Sequence, residues 1–282
     1  MKENGRESIK KKCFDFQGNK IQAVVSDYDG TIAVSGMKEP SEELFFLLEK
    51  LLHQNIRFIS ASGRQYQNLR DRFAPLADRI DYICENGSLI VYRNRIIYKD
   101  VIEREQALAL IRDMQRCLDG EIMVSGVDTS YIVPKTGYFV DRLVKRVRNH
   151  VTILENFEEI EEEMIKISLF WRDGIPKEEA ERFHKIYDDC LQVADGGNGW
   201  LDFTGKTSGK GNALKILAKH MGIPLENMIS FGDNENDMEM LKETGQSFCM
   251  SSAKDYVKQC ANHVCDSVEE VLRACIEQLW NE

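Results

Sequence analysis

The chain carries two kinds of apolar pattern. Short β-branched runs such as "IQAVVS" (21–26) are apolar at consecutive positions, as a parallel strand covered on both faces requires; longer stretches repeat apolar residues every three to four positions, as helices do. After Pro40, "SEELFFLLEKLLHQ" reads as a helix capped by Ser41, with Glu42 and Glu43 in its first turn and a wide apolar face. "IRFISASGR" predicts a second strand ending in small polar residues, "RQYQNLRDRF" a second helix and "IDYICENG" a third strand. Strand, helix, strand, helix, strand is the opening of a doubly wound α/β domain.

The pattern changes from Ser88 to about Trp200. "LIVYRNRIIY" predicts a hairpin turning at Arg93 and Asn94. Helical stretches near Arg104–Leu118, Tyr138–Asn149 and Lys177–Asp188 then alternate with strand-like "EIMVS", "SYIVP", "KISLFW" and "LQVAD". The parallel pattern resumes with "GKGNALKILAKHMG" as helix, "MISFGD" as strand, "NDMEMLKETG" as helix, "SFCM" as strand and two closing helices. The expected fold is α/β: a doubly wound, Rossmann-like core in two parts, residues 1–88 and 203–282, interrupted by an inserted α+β domain at 89–202. Residues 1–20 form an N-terminal tail.

Length and charge narrow the picture. A chain of 282 residues suits two modest domains with core enough to need no covalent staple. Its 37 Lys+Arg against 47 Asp+Glu give a net charge of −10, which disfavours a sequence-independent grip on nucleic acid or anionic lipid; an anionic small substrate would need local cations. The cysteines, at 13, 84, 117, 190, 249, 260, 265 and 275, show no CxxC and no disulfide-dense spacing, and read as buried thiols of a reducing compartment. The N-terminal tail has charge but no apolar h-region, and no stretch approaches the roughly 18 uninterrupted apolar residues of a membrane span. A soluble, cytoplasmic protein with no nucleic-acid or membrane partner is expected.

In open α/β sheets ligands bind beyond the carboxyl ends of the strands. Four polar clusters fall there: Asp27 and Asp29 after the first strand, Ser62 after the second, Lys210 at the start of a later helix, and Asp233, Asn236 and Asp237 after "MISFG". If those strands are neighbours, four carboxylates converge. Two carboxylates about 4 Å apart repel by about 4 kcal/mol at an effective dielectric near 20, so the cluster calls for a cation. Oxygen ligands without His or Cys point to Mg²⁺. A carboxylate nucleophile, a second carboxylate, a hydroxyl, an ammonium and a metal are the parts of phosphoryl transfer. Asp27 then serves as nucleophile, and Asp29 reaches the leaving group because a tight turn begins at Gly30.

Each cluster also has a plainer reading. Asp-Gly is a common turn pair, Ser62 could cap a helix, Lys210 could be solvated, and the acidic "ENFEEIEEEM" suits a solvated helix face. "GKTSGKG" lacks the spacing of a P-loop, and "DNENDMEM" has Met238 where a calcium loop requires glycine. The histidines at 53, 150, 184, 220 and 263 have no metal-like pairing.

In order, "DYDGT", "SGR", the "GKGNAL" lysine and "GDNENDMEM" resemble motifs one to four of the haloacid dehalogenase (HAD) superfamily. The long insert between motifs two and three is similar to that of the Cof-type phosphatases with a C2 cap. The resemblance spans nearly the whole chain apart from the tail, and departs from the family pattern in Tyr28 between the motif-one aspartates and in "ENGSLI" at the start of the cap. It implies that Asp27 forms an aspartyl-phosphate and that Asp29 is general acid, then general base. It implies Mg²⁺ held by Asp27, Asp233 and the backbone carbonyl of Asp29, and phosphate held by Ser62 with the amides of Tyr28 and Gly63. Lys210 would steady the nucleophile and the transferring group, Asn236 would reach phosphate, and Asp237 would orient Lys210 or a metal water. The expected function is a Mg²⁺-dependent phosphatase of a small phosphomonoester, a sugar phosphate by family resemblance, with pyridoxal phosphate and flavin mononucleotide as other possibilities. A phosphomutase of similar fold and a non-catalytic phosphometabolite-binding regulator are the alternatives.

Overall fold

The computed structural model describes residues 20–34 and 39–279. The expected tail lies, but for Lys20, outside the described residues. In chain order the strands are β1 (Ala23–Ser26), β2 (Arg57–Ala61), β3 (Asp81–Cys84), β4 (Leu89–Tyr92), β5 (Arg95–Lys99), β6 (Glu121–Ser125), β7 (Ser130–Ile132), β8 (Val151–Ile153), β9 (Lys166–Phe170), β10 (Gln192–Gly197), β11 (Trp200–Thr204), β12 (Met228–Gly232), β13 (Gln246–Met250) and β14 (His263–Cys265). They make two sheets, ordered β14-β13-β12-β1-β2-β3-β4-β5 and β10-β11-β9-β6-β7-β8.

In the first sheet β1 lies between β12 and β2, parallel to both, with Ser26 opposite Phe231 and Ser60. The three strands therefore end at one level, and the residues that follow emerge side by side. Successive side chains of a strand face opposite ways, so Val24, Phe58 and Ile229 join Leu44, Leu48 and Leu272 in one apolar layer. Ala23, Val25 and Ile59 join Ala213, Leu214 and Leu217 in the other. Helices on both faces make the sheet doubly wound. The helix Glu42–His53 starts as the sequence predicts, with the Leu44 N–H donating to Ser41 Oγ at 3.0 Å.

The second sheet is mostly antiparallel. On one face its apolar positions, among them Val124, Ile167, Leu169 and Phe203, pack on Ala107, Leu110 and Met114 of helix Arg104–Met114 and on Phe183 of helix Lys177–Tyr187. On the other face Met123, Ile132 and Phe170 meet Phe139 and Leu143.

Several expectations change in detail. The hairpin of residues 89–99 belongs to the first sheet: β4 pairs antiparallel with β3, and Ile90 packs in the layer of Leu214 and Leu217. Its turn residues Arg93 and Asn94 both have positive φ, 49° and 60°, which a two-residue turn matching the strand twist requires. The chain leaves the first sheet after β5 and returns after β11 at an adjacent point, where Thr207 and Ser208 each donate to Asp100 Oδ2 at 2.9 Å. The acidic segment is no helix: only Phe157–Glu159 forms a single 3-10 turn. Its Glu162 instead accepts from the Val127 N–H at 2.5 Å and from the Tyr131 hydroxyl at 2.9 Å. The segment expected as helix from Tyr138 is a short α-helix, Gly137–Asp141, running into a π-helical stretch, Arg142–Val147. Among the described cysteines Cys84, Cys117, Cys249, Cys265 and Cys275 are buried, whereas Cys190 is exposed and Cys260 half-buried. Cys13 lies outside the described residues. No helix among the described residues is long and apolar enough to cross a membrane.

Candidate active site

Beyond Ser26 the chain stays in the sheet for one more residue, because the Asp27 N–H donates to the Phe231 carbonyl at 2.9 Å. Asp27 is thereby held inside the protein at the end of β1, 4 % exposed. The chain then turns sharply: the Tyr28 carbonyl accepts from the N–H groups of Ile32 and Ala33 at 3.0 and 2.8 Å. Gly30 sits in this turn at φ +88°, and a Cβ there would come within 2.2 Å of Asp233 Oδ2. Two loops meet at Gly30, so the residue after Asp29 must lack a side chain.

Lys210 opens the helix Lys210–Met221 and points inward, 1 % exposed. Its Nζ donates to Asp27 Oδ1 at 2.5 Å and to Asp237 Oδ1 at 2.7 Å. Asp237 is fully spent in this role, since its Oδ2 accepts from the N–H groups of Asp233 and Asn234 at 3.0 and 3.1 Å. It shapes the loop after β12 and aims Lys210. Asp233 accepts from the Thr31 hydroxyl at 3.1 Å, which joins the loops after β1 and β12.

Carboxylate oxygens of Asp27, Asp233 and Asp237, one from each, lie within 4.8 Å of one another. With all three ionised, three carboxylates against one ammonium would leave an excess of two negative charges in a largely buried spot. Burial pushes the Asp27 carboxyl well above the usual range; Lys210 opposes this, while the charges of Asp237 and Asp233 add to it. Burial and then Asp237 raise Asp233 as well, against the Thr31 hydrogen bond. For Lys210 burial works against the charge, yet Asp237 and Asp27 outweigh it and hold the ammonium above its ordinary value. Asp27 Oδ2 is buried and finds no hydrogen-bond partner among the described residues. The carboxylates of Asp27 and Asp233, an oxygen-only donor set whose charge Lys210 matches only in part, fit a hard divalent cation.

The other predicted residues surround this centre. Tyr28 is buried under the guanidinium groups of Arg64 and Arg72, so an aromatic ring is accommodated where it departs from the family pattern. Ser62 is buried; its N–H donates to the Ile83 carbonyl at 2.8 Å and its Oγ accepts from the Arg64 N–H at 3.2 Å. Asn236 donates to Asn86 Oδ1 at 3.0 Å. The Asp29 carboxylate stands apart from the three-carboxylate group: it is partly exposed and held by Arg64, Nε to Oδ2 and a terminal nitrogen to Oδ1, both at 2.6 Å. The expectation for Asp29 as a ligand concerned its backbone carbonyl, and the side chain takes no part in the cluster.

Three contributors were not foreseen. Arg64 holds Asp29, and it also donates to Asn68 Oδ1 at 3.1 Å and to the Val147 carbonyl at 3.4 Å. Asn86, at φ 57°, lies between Asn236 and Gly63. Glu85 is buried beside Lys166 of the second sheet. The loop that carries Glu85 and Asn86 rests on the lysine helix, for a Cβ at Gly87 would lie 2.4 Å from the Gly209 carbonyl oxygen. The signal was "ENG" at the carboxyl end of β3, in line with the other clusters.

A family model described as haloacid dehalogenase-like hydrolase matches residues 24–274. The 5-amino-6-(5-phospho-D-ribitylamino)uracil phosphatase YbjI of Escherichia coli (strain K12) is 26% identical over 263 residues, covering 90% of this chain and 97% of its own. Phosphatase YwpJ of Bacillus subtilis (strain 168) is 24% identical over 273 residues, covering 86% and 94%. Among solved structures, a haloacid dehalogenase-like hydrolase from Bacteroides thetaiotaomicron superposes with a TM-score of 0.80 at 21% identity, over 92% of this chain and all (100%) of that one. The HAD subclass IIB sugar phosphatase BT4131 superposes at 0.76 with 22% identity, over 92% and 99%.

Proposed function

Since the chain belongs to the haloacid dehalogenase-like hydrolase family, we propose that it is a Mg²⁺-dependent phosphatase of a small phosphomonoester, working through an aspartyl-phosphate on Asp27. The observation that carries this reading is Asp27 Oδ2: buried, without a partner, and on the carboxylate whose other oxygen Lys210 holds at 2.5 Å. A nucleophile needs one oxygen bare and the rest of the group fixed.

In this reading Asp27, Asp233 and the Asp29 backbone carbonyl would hold Mg²⁺, and the ion would supply positive charge to offset the nucleophile and the phosphate oxygens. Asp27 Oδ2 attacks phosphorus, and the bond from phosphorus to the ester oxygen breaks. Asp29, which must leave its pair with Arg64 and carry a proton to act as acid, gives the departing oxygen that proton, then takes one from the water that hydrolyses the aspartyl-phosphate. Lys210, the Ser62 hydroxyl, Asn236 and the amides of Tyr28 and Gly63 bind the phosphoryl oxygens, charge that develops where water is excluded.

The second sheet would be the cap over this site, and since β4 and β5 pair within the first sheet we take the insert to run from about residue 101 to 204. It meets the first sheet's side of the site through polar contacts: Asn68 Nδ2 donates to the Val147 carbonyl at 2.6 Å, and Gln65 Oε1 accepts from the His150 N–H at 2.9 Å. The substrate we favour is a phosphate ester on a polyhydroxylated carbon chain. The relatives named for a phosphoribityl compound and for sugars share that chemistry. A regulator without turnover has no need of Asp27, Asp29, Lys210 and Asp233 together, and all four are present. The test is phosphate release from a panel of sugar, polyol, pyridoxal and flavin phosphates with and without Mg²⁺; no release from any of them would refute the reading.

A further inference from the structure

Lys166 is the first residue of β9, in the second sheet, and is 4 % exposed. Its ammonium is ion-paired with Glu85, lies 4.0 Å from Asp202 Oδ2, and donates to the Gly63 carbonyl at 3.0 Å. Glu85 is equally enclosed, 1 % exposed, and sits at φ 49°, a conformation uncommon for a residue with a side chain. A buried ion pair is a poor source of stability, because desolvating two charges offsets most of their attraction.

The peptide that Lys166 touches leads to the site. The Gly63 carbonyl and the Arg64 N–H are two ends of one planar unit, and that N–H donates to Ser62 Oγ at 3.2 Å. An ammonium on the carbonyl polarises the unit and fixes its plane, which strengthens donation at the other end. With a lone pair of Ser62 Oγ engaged from behind, its own proton is left to point outward. The same loop is held from its other side, where the Glu85 N–H donates to the Arg64 carbonyl at 3.1 Å and the Asn86 N–H to the Ser62 carbonyl at 3.1 Å.

We propose that Lys166 is a positioning residue for the phosphate: from the second sheet it acts through the Gly63–Arg64 peptide on the Ser62 hydroxyl, with Glu85 as its counter-charge. The inference rests on the reading above that Ser62 binds phosphate. Its consequence is that the phosphate loop is complete only when the second sheet is docked on the first.

The experiment is a double-mutant cycle on the full chain, read as competitive inhibition by inorganic phosphate during hydrolysis of p-nitrophenyl phosphate. Lys166→Met is made together with Glu85→Gln, which removes the charge paired most closely with it, while Asp202, 4.0 Å from the ammonium, keeps the Ser168 hydroxyl as a donor at 2.6 Å. A hydrogen bond from a charged group is worth about tenfold or more, so the pair of changes weakens phosphate inhibition about tenfold. In a Ser62→Ala background the same changes shift it less than about twofold, because their route is gone. A purely structural pin would give equal effects in both backgrounds, and that result, or unchanged inhibition, overturns the inference. If Ser62→Ala alone leaves inhibition unchanged, the phosphate role of Ser62 fails, and this inference with it. Should the double variant not fold, Lys166→Arg, which keeps the charge beside Glu85 but displaces the donor from the Gly63 carbonyl, goes through the same cycle with the same two readings.

Discussion

Arg64 holds both carboxylate oxygens of Asp29, each at 2.6 Å, and so keeps that side chain out of the group formed by Asp27, Asp233 and Asp237. The two motif-one aspartates therefore differ in surroundings as well as in order: one buried against an ammonium, the other partly exposed against a guanidinium. Arg64 also contacts Val147, so the partner of Asp29 is tied to the region of the second sheet.

This separation predicts different failures. Asp29→Asn should leave Mg²⁺ affinity within about twofold of the parent, since its carboxylate is outside the cluster, yet slow phosphoenzyme formation, to which a general acid contributes about 10²- to 10⁴-fold. The slowing should be large for a sugar phosphate, whose alkoxide needs a proton, and small for p-nitrophenyl phosphate. Pre-steady-state bursts of p-nitrophenol and of sugar are the measurement; equal slowing of both would exclude the acid role.

Lys210 sits between two buried carboxylates, and its loss leaves both without a counter-charge. Lys210→Met should abolish hydrolysis and destabilise the metal-free chain by about 3–5 kcal/mol. Adding Asp237→Asn should restore part of the stability and none of the activity. Denaturant unfolding with parallel assays checks both statements, and an undiminished midpoint for Lys210→Met would contradict the ion-pair geometry.

The raised Asp27 carboxyl gives a pH dependence with a definite sign. A group whose folded value lies above its unfolded one stabilises the fold below the unfolded value, and that contribution is lost as pH rises through the folded value. The metal-free chain is thus penalised once Asp27 ionises, and Mg²⁺ should raise the melting temperature more at neutral than at acid pH. Mg²⁺ binding should weaken as pH falls and should release protons. Calorimetric titrations in buffers of different ionisation enthalpy measure this, and binding without proton release at mildly acid pH would be the contrary finding.

The topology also fixes where a deletion belongs. Residues 101–204 leave and re-enter beside Asp100 and Ser208, so replacing them with a short Gly-rich linker should preserve the eight-stranded sheet, whereas a cut at Leu89 would remove β4 and β5 from it. The shortened, folded protein should keep some activity on p-nitrophenyl phosphate and lose discrimination among metabolite phosphates, because a closing cap orients the rest of the substrate and excludes water. Retained metabolite preference would place specificity in the first sheet's side of the site instead.

What the sequence disclosed and what it hid have physical reasons. Asp27, Ser62, Asp233 and Asp237 stood out because each lies just beyond a short apolar run, and parallel strands in register bring such positions to one edge; Lys210 stood out only as the lysine at the start of a later helix. Glu85 and Asn86 carried a sign in "ENG" after β3 that went unread, whereas Arg64 and the pairing of Lys166 with Glu85 had none, since their roles depend on contacts between distant segments that no periodicity encodes. β8 and β14, three residues each, went unread, whereas β7, equally short, was read because its apolar run continues into Val133. The hairpin at 89–99 was recognised as a hairpin and given to the insert, because an antiparallel pair at the edge of a parallel sheet has no local mark.

The account stands on covalent chemistry at Asp27. The direct measurement is rapid acid quenching of the Mg²⁺ enzyme with a phosphomonoester it hydrolyses, followed by peptide mass spectrometry. The account predicts an acid-stable, hydroxylamine-labile phosphate on the peptide spanning Val24–Ile32, located at Asp27, in the parent and absent from a folded Asp27→Asn variant that no longer turns over. Phosphate trapped on another residue, or undiminished turnover in Asp27→Asn, would contradict it.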